Sequence, residues 1–212
     1  MLKIWKHLPV KIVLATRNKK KTEEIRRILA DTGMELFNLT AFPACPEVLE
    51  DGQTFTENAD KKALEVARYT QLPALADDSG LVVDCLGGAP GVWSARYAGP
   101  GADDAANLNK LLQAVRNVPL AERSARFECV ISMACPDGRL RRFHGSVSGR
   151  IIDEPRGGNG FGYDPAFVPD GLQQTFAEMA GEQKDSISHR GRALAALAEA
   201  LQTAGEKNLS CE

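Results

Sequence analysis

The segment VKIVLATRNKKKTEEIRRILADTGMELFNL, residues 10–39, decides the fold class of this chain. Residues 10–16 are rich in β-branched side chains and predict a strand. Asn18 can cap a helix over residues 19–31. Residues 34–39 predict a second strand. Because strand, helix and strand follow one another directly, the opening of the chain favours an α/β fold.

Periodicity and turn residues predict further elements downstream. They are a helix over residues 54–70, a short strand over 72–76, a helix over 103–115, an antiparallel hairpin of strands 125–134 and 140–147, and a C-terminal helix that begins near 186–188 and ends near 203. The tetrapeptide Asp77-Asp78-Ser79-Gly80 follows the short strand and has the composition of a turn. No repeat or linker divides the chain. We therefore expect one domain over residues 1–212, with a mixed sheet and flanking helices curved around a cleft.

The composition is that of an ordinary globular domain and argues against two classes of partner. Of 212 residues, 43% are hydrophobic and 25% are charged, and the formal net charge is −2. Such a chain has no overall basic field to hold a nucleic-acid backbone, although a local cluster of cations can still bind a small phosphate compound. No apolar run approaches the roughly 20 residues of a membrane helix. We therefore expect neither nucleic acid nor a membrane as a partner.

The cysteines indicate a reducing compartment. Their number is odd, their spacing is wide and no CxxC pair occurs, which is typical neither of a disulfide framework nor of a zinc site. They are Cys45, Cys85, Cys129, Cys135 and Cys211. Together with the lack of an export signal, this pattern predicts reduced thiols and a cytoplasmic location.

A basic run, TRNKKK over residues 16–21, lies at the junction between the first strand and the first helix. The free N–H groups and the positive dipole end of a helix N-terminus make a natural anion site. Three lysines are unfavourable at that end, and a bound polyphosphate would relieve their repulsion. A solvated basic surface explains the same residues equally well. The run does not contain GxxxxGK[ST], so it is not a P-loop.

Two neighbouring carboxylates, Asp77 and Asp78, come directly after the predicted short strand. Adjacent residues of a strand point to opposite sides, so we expect one carboxylate to face a site and the other to be structural. Carboxylates suit Mg²⁺, which takes one or two protein oxygens and completes its shell with water and substrate phosphate. On spacing alone, a solvated turn is the better explanation of the pair.

A glycine-rich segment with aromatic side chains covers residues 157–165. Four of its first six residues are glycine, which implies unusual backbone angles or the close approach of another group. The segment does not fit G-x-G-x-x-G and no helical pattern follows it, so we reject a dinucleotide-binding fold. It can seat a flat base against a ring. Near the last helix, Lys184 and Arg190 could hold phosphate or a carbonyl oxygen, and Arg190 is the better oriented donor. A lone histidine such as the neighbouring His189 is more often structural than catalytic.

Together these segments resemble the inosine triphosphate pyrophosphatase family. The matching pieces are ATRNKKK (15–21), EDGQTFTENADKKA (50–63), ADDSGLVVDCLGGAPGVWSARYAG (76–99), GGNGFGYDPAF (157–167) and KDSISHRG (184–191). They occur in the family's order and span almost the whole chain. The resemblance implies an elongated α/β fold with two lobes around a central cleft, usually a homodimer. It also implies Mg²⁺-dependent hydrolysis of non-standard purine nucleoside triphosphates (ITP, dITP and XTP) to the monophosphate and pyrophosphate.

The resemblance also assigns roles to individual residues. The triphosphate would be bound by residues of the basic run and one downstream lysine: Thr16, Arg17, Asn18, Lys19, Lys20, Lys21 and Lys62. The nucleoside part would contact Ser79, Phe161, Gly162, Tyr163, Asp164, Lys184, His189 and Arg190. Phe161 is expected to stack on the purine. Asp78 is the implied catalytic residue, as the base or as an Mg²⁺ ligand. Glu50 is the expected second ligand, because the preceding position, often acidic in the family, is Leu49 here.

We expect the base to be distinguished at its 6-position. Hypoxanthine and xanthine carry a carbonyl oxygen there, whereas adenine carries an amino group. A donor such as Arg190 would pair with the oxygen and be left unpaired by the amino group, at a cost of about 1–3 kcal/mol. Guanine also has a 6-carbonyl, so rejection of GTP must involve its 2-amino group.

Two other functions remain open from the residues alone. A phosphatase that removes a terminal phosphate could use the paired aspartates, although no DxDx[TV] nucleophile motif is present. A nucleotide-binding regulatory module would keep the basic and aromatic residues without needing Asp78. Even within the pyrophosphatase hypothesis, the residues leave open whether Asp77, Asp78 or Glu50 activates the water.

Overall fold

The computed structural model describes residues 10–203, which form a six-stranded mixed sheet with flanking helices. The strands are β1 (Lys11–Leu14), β2 (Glu35–Asn38), β3 (Ala74–Val83), β4 (Ser124–Ala134), β5 (Leu140–Ile151) and β6 (Phe167–Pro169). Their order in the sheet is β2-β1-β3-β4-β5-β6. Strand β1 is parallel to β2 and β3, and the other neighbouring pairs are antiparallel. This mixed sheet confirms the predicted α/β class.

Five α-helices pack around the sheet within the described residues. They are α1 (Lys19–Ile28), α2 (Phe55–Thr70), α3 (Asp104–Val115), α4 (Gly181–Ile187) and α5 (His189–Thr203). Asn18 caps α1 as predicted, because its side-chain oxygen accepts a hydrogen bond from the backbone N–H of Lys21 at 3.1 Å. Helix α1 ends at Ile28 rather than near residue 31, and a 3₁₀ turn leads to Gly33 in the left-handed region at φ 72°. None of these helices is long and apolar enough to cross a membrane.

Strand β3 runs straight through the tetrapeptide that the sequence predicts to be a turn. Its ten residues extend to Val83 and pair in register with β4, so that Asp77 lies opposite Ile131 and Asp78 opposite Val130. The turn prediction is therefore wrong. Turn composition rules assume solvated carboxylates, whereas both aspartates here are buried against cationic side chains.

The alternation along β3 separates the two carboxylates and defines a cleft. Asp77 contacts α1 and α5 on one face of the sheet, and Asp78 contacts α2 on the other. On the face of Asp77, one apolar cluster packs against α1 and α5 and includes Leu75, and a second packs against α3 and includes Leu81. Asp77 and Ser79 lie between these two clusters along the strand. They form the polar floor of a cleft between two apolar cores.

Gly145 of β5 allows the start of α5 to lie directly on the sheet. A Cβ at this position would overlap the backbone carbonyl oxygen of His189 and lie 2.6 Å from the backbone nitrogen of Ala193. Because both are backbone atoms, the whole helix would have to move. We expect Gly145→Ala to lower the free energy of unfolding by about 1–3 kcal/mol in urea denaturation. Ser146→Ala, on the exposed side of the same strand, is the control, and equal stability of the two variants would contradict this account.

The cysteines follow the prediction only in part. Cys45, Cys85 and Cys129 carry free thiols, and Cys85 is the exposed member of the three. Cys135 is disulfide-bonded, so the prediction of reduced thiols is wrong at that position. Spacing along a sequence does not reveal which thiols approach each other in space. Cys211 lies outside the described residues.

Candidate active site

Two adjoining cavities open along the cleft. The first, named the lysine cavity, has a volume of about 230 Å³, and the second, named the aromatic cavity, about 100 Å³. The lysine cavity is lined by residues that include Thr16, Arg17, Asn18, Lys21, Glu50, Lys62, Asp77, Asp78 and Ser79. The aromatic cavity is lined by residues that include Phe127, Phe161, Gly162, Tyr163, Asp164, Lys184, His189 and Arg190. Asn18, Lys21, Ser79 and Ala95 line both cavities, which therefore form one continuous site.

The N-terminus of α1 forms one wall of the lysine cavity. Thr16 follows β1, and its hydroxyl oxygen accepts a hydrogen bond from the backbone N–H of Asn18 at 3.1 Å. Asn18 then caps the helix, which fixes the turn between strand and helix. Lys21, one turn further, reaches across to the carboxylate of Asp77. This wall therefore combines a helix N-terminus with a cation, the two features that favour a bound anion.

The other members of the basic run point elsewhere. The Arg17 guanidinium donates to the carbonyl oxygen of Cys45 at 2.8 Å, at the edge of the lysine cavity. Lys19 is exposed and lines neither cavity. The Lys20 ammonium lies 5.8 Å from the ring centre of Phe161 and 3.4 Å from a carboxylate oxygen of Asp104. Direct binding of substrate by Lys19 therefore has no support from its position.

Lys62 of α2 contacts the carboxylates that lie across β3 from the side chain of Asp77. Its ammonium donates to Glu50 Oε1 at 2.8 Å, to Asp78 Oδ1 at 2.9 Å and to the carbonyl oxygen of Asp77 at 2.8 Å. Asn58, one turn earlier on α2, donates to the other oxygen of Asp78 at 3.4 Å. Burial raises the pKa of Asp78 above its usual range, against the opposing effect of Lys62. Burial would also raise the pKa of Glu50, but Lys62, Lys21 and Arg96 together lower it.

The donor set around Lys62 suits a magnesium ion completed by substrate. Glu50 and Asp78 converge on the same ammonium, so their oxygens lie close to one point. Mg²⁺ commonly uses one or two carboxylates together with water and phosphate oxygens, rather than a cage of protein ligands. Among the described residues, no group of three or more His, Cys, Asp or Glu side chains could hold a metal ion. A two-carboxylate site is consistent with both facts.

Asp77 is fully buried and is the most heavily hydrogen-bonded carboxylate of the site. Arg190 donates to both of its oxygens, through Nε at 2.9 Å and Nη2 at 3.3 Å. Lys21, Ser79 and Cys129 donate to it as well. Burial alone would raise its pKa, but Arg190 and Lys21 hold the pKa well below the usual range. Asp77 is therefore an anion that organises its neighbours and a poor acceptor for a proton from water.

Buried ion pairs continue from Arg190 into the aromatic cavity. The guanidinium also contacts Glu24 of α1, and the ammonium of Lys184 donates to Glu24 at 2.8 Å. Lys184 donates in addition to Asp164 at 2.6 Å. Burial would raise the pKa of Glu24, but Arg190 and Lys184 lower it below its usual value. Arg190 and Lys184 are thus held in place by the carboxylates of Glu24 and Asp164.

The glycine-rich loop presents Phe161 to the aromatic cavity. Asp164 Oδ2 accepts a hydrogen bond from the backbone N–H of Phe161 at 2.8 Å, which closes the loop. Gly160 is required at its bend, because φ is 72° and a Cβ would overlap the same carboxylate oxygen. The cationic groups of Lys184 and Arg190 lie 4.9 Å and 5.6 Å from the ring centre. The ring therefore lies next to hydrogen-bond donors.

His189 and Tyr163 have mainly apolar surroundings in the same cavity. The His189 ring stacks on Phe127 with centroids 4.7 Å apart, and burial followed by Arg190 and Lys184 moves its pKa well below the usual range. The imidazole is therefore neutral, and its Nδ1 has no hydrogen-bond partner among the described residues. The Tyr163 hydroxyl donates to the carbonyl oxygen of Ser94 at 2.8 Å. Tyr163 thus anchors the loop through its side chain.

Comparison with known proteins identifies the family. The model of the Ham1 family matches residues 12–200. The chain belongs to the Ham1 family. This membership confirms the resemblance that the five sequence segments indicate.

Relatives in the Ham1 family match nearly the whole chain. A protein named dITP/XTP pyrophosphatase from Geobacter sulfurreducens is 53% identical over 191 residues, which cover 90% of this chain and 96% of that protein. The solved structure of a HAM1 protein from Coxiella burnetii has 44% identity and a TM-score of 0.84, over 92% of this chain and 99% of its own. A solved nucleoside-triphosphatase / dITP/XTP pyrophosphatase from Mycobacterium abscessus has 47% identity and a TM-score of 0.73, over 89% of this chain and 98% of its own.

Three residues of this Ham1-family site receive no role from the sequence alone. Glu24 bridges Arg190 and Lys184, yet in the sequence it is one of many charged residues of α1; its position one turn after Lys21 was the available signal. Asn58 contacts Asp78 and lies within a quoted motif, one turn before Lys62. Arg96 donates to the carbonyl oxygen of Glu50 at 3.0 Å and so holds the loop that carries this carboxylate. Only the three-dimensional contacts distinguish these residues from ordinary polar residues of the surface.

Proposed function

We propose that this chain hydrolyses ITP, dITP and XTP to the monophosphate and pyrophosphate. The observation that carries the proposal is the continuity of the lysine cavity with the aromatic cavity. One nucleotide would place its phosphates among cations and carboxylates and its base against Phe161. The names of the relatives, dITP/XTP pyrophosphatase, support this substrate class.

In this proposal the chain supplies charge and a proton acceptor at the α-phosphorus. Lys21 and the first-turn amides of α1 bind the phosphates, and the positive charge of Lys62, whose three N–H groups already donate to Glu50, Asp77 and Asp78, helps to stabilise the leaving pyrophosphate. Asp78 acts as the general base, because its raised pKa makes it the better proton acceptor of the paired aspartates. The water oxygen bonds to the α-phosphorus while its proton passes to Asp78. The bond to the bridging oxygen breaks, and its electron pair leaves with pyrophosphate.

Mg²⁺ is the cofactor that we propose for this site. Asp78 and Glu50 would hold the ion together with phosphate oxygens of the substrate. When bound, Mg²⁺ neutralises the charge that develops on the phosphate oxygens. Lys62 keeps the two carboxylates together, because its ammonium contacts both of them.

Selection of the base would rest on donors that line the aromatic cavity. Arg190 makes four hydrogen bonds within the described residues, out of five N–H groups that a guanidinium offers. The Lys184 ammonium makes two, out of three. Each side chain therefore retains one N–H for a 6-carbonyl oxygen, whereas the amino group of adenine would leave it unpaired.

A homodimer in the cytoplasm completes the proposal. The family resemblance supports the homodimer, and the free thiols of Cys45, Cys85 and Cys129 support the location. Light scattering on the purified chain tests the first, and the mass of a single chain would contradict it.

The function is tested with five nucleotides and two products. The purified chain is incubated with Mg²⁺ and separately with ITP, XTP, dITP, GTP and ATP, and pyrophosphate and orthophosphate are measured side by side. We expect pyrophosphate from ITP, XTP and dITP, with little from ATP or GTP. Chelation of Mg²⁺ should abolish the release, and added Mg²⁺ should restore it.

The alternative functions give different results in the same assay. Orthophosphate alone would support a phosphatase. Nucleotide binding without either product would support a regulatory module, and equal rates on ITP and ATP would contradict selection at the 6-position.

A further inference from the structure

An unbroken series of buried ion pairs links the two cavities. It starts in the lysine cavity and ends at the loop of the aromatic cavity. Its members, in order, are Lys21, Asp77, Arg190, Glu24, Lys184 and Asp164, and the last accepts the backbone N–H of Phe161. Positive and negative groups alternate along it, so none of them is an isolated buried charge. The phosphate end and the base end of the site are therefore in continuous electrostatic contact.

At Asp77, donors from the two ends of the series compete for the same carboxylate oxygen. Its Oδ1 accepts from the Lys21 ammonium, from the Ser79 hydroxyl at 3.0 Å and from Arg190 Nη2 at 3.3 Å. The Arg190 contact to Oδ1 is the longest of the three, and it is longer than the 2.9 Å contact of Arg190 Nε with Oδ2. Three donors crowd one oxygen that offers two lone pairs. The strength of the hydrogen bond from Arg190 to Oδ1 therefore depends on how closely Lys21 binds the same oxygen.

Lys21 is the most exposed member of the series. Its side chain is 17% exposed, whereas the side chains of Asp77 and Arg190 are 0% and 1% exposed. Lys21 also lines both cavities. A polyphosphate in the lysine cavity can therefore draw the ammonium toward itself while Asp77 and Arg190 stay in place.

We propose that Asp77 is a positioning residue that couples phosphate binding by Lys21 to nucleoside binding by Arg190. When phosphate draws Lys21 away, the long contact of Arg190 Nη2 with Oδ1 can shorten, and the two carboxylate oxygens then hold the guanidinium more firmly. A donor that is already fixed loses less freedom when a base binds it. The coupling is reciprocal, because a change in affinity at one end must appear equally at the other. The proposal rests on the proposed function and adds that the two ends of the substrate bind cooperatively.

The coupling is tested with the two halves of the substrate as separate ligands. Inosine reports on the aromatic cavity and inorganic pyrophosphate on the lysine cavity, and calorimetry measures the affinity for inosine with and without saturating pyrophosphate in Mg²⁺ buffer. In the wild-type chain we expect pyrophosphate to tighten inosine binding by about fivefold or more. In Asp77→Asn, which keeps the volume and loses the charge, we expect a change below about twofold. Ser132→Ala removes a buried hydrogen bond of the same sheet, to Asp60, outside both cavities, and should retain the wild-type coupling.

A second variant keeps the proposal testable if Asp77→Asn does not fold. Lys21→Met removes the competing ammonium from a partly exposed position on α1. Without pyrophosphate, this variant should bind inosine as tightly as the wild-type chain does with saturating pyrophosphate. A purely structural role of the ion pairs predicts the opposite, a weaker affinity for inosine in Lys21→Met, and that result would overturn the coupling.

Hydrolysis of ITP by the wild-type chain is measured in parallel to separate the two proposals. A chain that hydrolyses ITP but binds inosine equally with and without pyrophosphate, including no detectable binding in either condition, overturns the coupling and leaves the function intact. A chain that shows the coupling without hydrolysis overturns the function alone.

Discussion

Asp78→Asn is expected to slow pyrophosphate release from ITP by about 10²–10⁴-fold while ITP still binds. Asparagine keeps the size of the side chain and an acceptor for Lys62, but it cannot take a proton from water. Loss of one negative charge beside the phosphates favours ITP binding, whereas loss of one Mg²⁺ ligand opposes it, so ITP should still bind at saturating Mg²⁺. Initial rates of pyrophosphate formation and calorimetry with ITP measure the two quantities on the same preparation.

The matched control for this variant is Asp60→Asn. Asp60 lies on α2, the helix that Asp78 of β3 contacts through Lys62, but the carboxylate of Asp60 contacts Ser132 and Arg142 outside both cavities. We expect it to keep the wild-type rate. A rate of Asp78→Asn within about tenfold of the wild type would remove Asp78 from the role of base.

Glu50→Gln separates the base from the second metal ligand. If Glu50 only helps to hold Mg²⁺, its loss should raise the Mg²⁺ concentration needed for half of the maximal rate, and excess Mg²⁺ should restore the rate. The same excess should not restore Asp78→Asn. If Mg²⁺ rescues Asp78→Asn instead, the two roles have been assigned to the wrong carboxylates.

The basic run shows how far a sequence motif can be interpreted residue by residue. The sequence identifies residues 16–21 as one anion-binding segment, and the segment does line the lysine cavity. Successive residues of an α-helix are rotated by about 100°, however, so neighbouring lysines cannot face the same cavity. Lys21 turns inward to Asp77, Lys20 lies over Phe161 and Lys19 is exposed. A helical period applied to the run would have predicted this division.

The fold was predictable because its signals are local. The first strand, the capped helix and the hairpin each follow from a few adjacent residues, and the structure confirms them. The prediction of a turn at residues 77–80 fails because the conformation of this tetrapeptide is decided by partners far along the chain. Arg190, which contacts Asp77, is 113 positions away. Local composition indicates a turn, and tertiary ion pairs override it.

The same distance in sequence explains which site residues were missed. Motifs identify residues that carry recognisable chemistry in a fixed order, such as Phe161 or Lys184. Glu24 has no motif of its own, and its importance comes from two cations that are 160 and 166 positions away. The predicted site contains more cationic side chains than carboxylates, and unpaired charges are costly inside a protein. That imbalance could have prompted a search for Glu24.

Replacement of Arg190 is expected to change both stability and base preference. In Arg190→Ala, the buried carboxylates of Asp77 and Glu24 lose their shared cation, which should cost about 3–5 kcal/mol of unfolding free energy. The folded fraction of this variant should show a lower ratio of kcat/KM for ITP over ATP than the wild type. Arg190→Lys keeps the charge and removes the planar fork, so it isolates recognition from stability. Its ratio of kcat/KM for ITP over ATP should fall roughly 5- to 150-fold, the equivalent of an unpaired group worth about 1–3 kcal/mol.

Arg192→Ala is the matched control on the same helix. Arg192 is exposed, and its guanidinium contacts the backbone carbonyl oxygen of Ser146 at 2.6 Å. Both its stability, within about 0.5 kcal/mol, and its nucleotide preference should match the wild type. If Arg190→Lys keeps the preference for ITP and Lys184→Met loses it, Lys184 is the side chain that pairs with the 6-position. Arg190 then binds only the carboxylates. Because each of these two side chains retains one N–H, the comparison decides which of them pairs with the base.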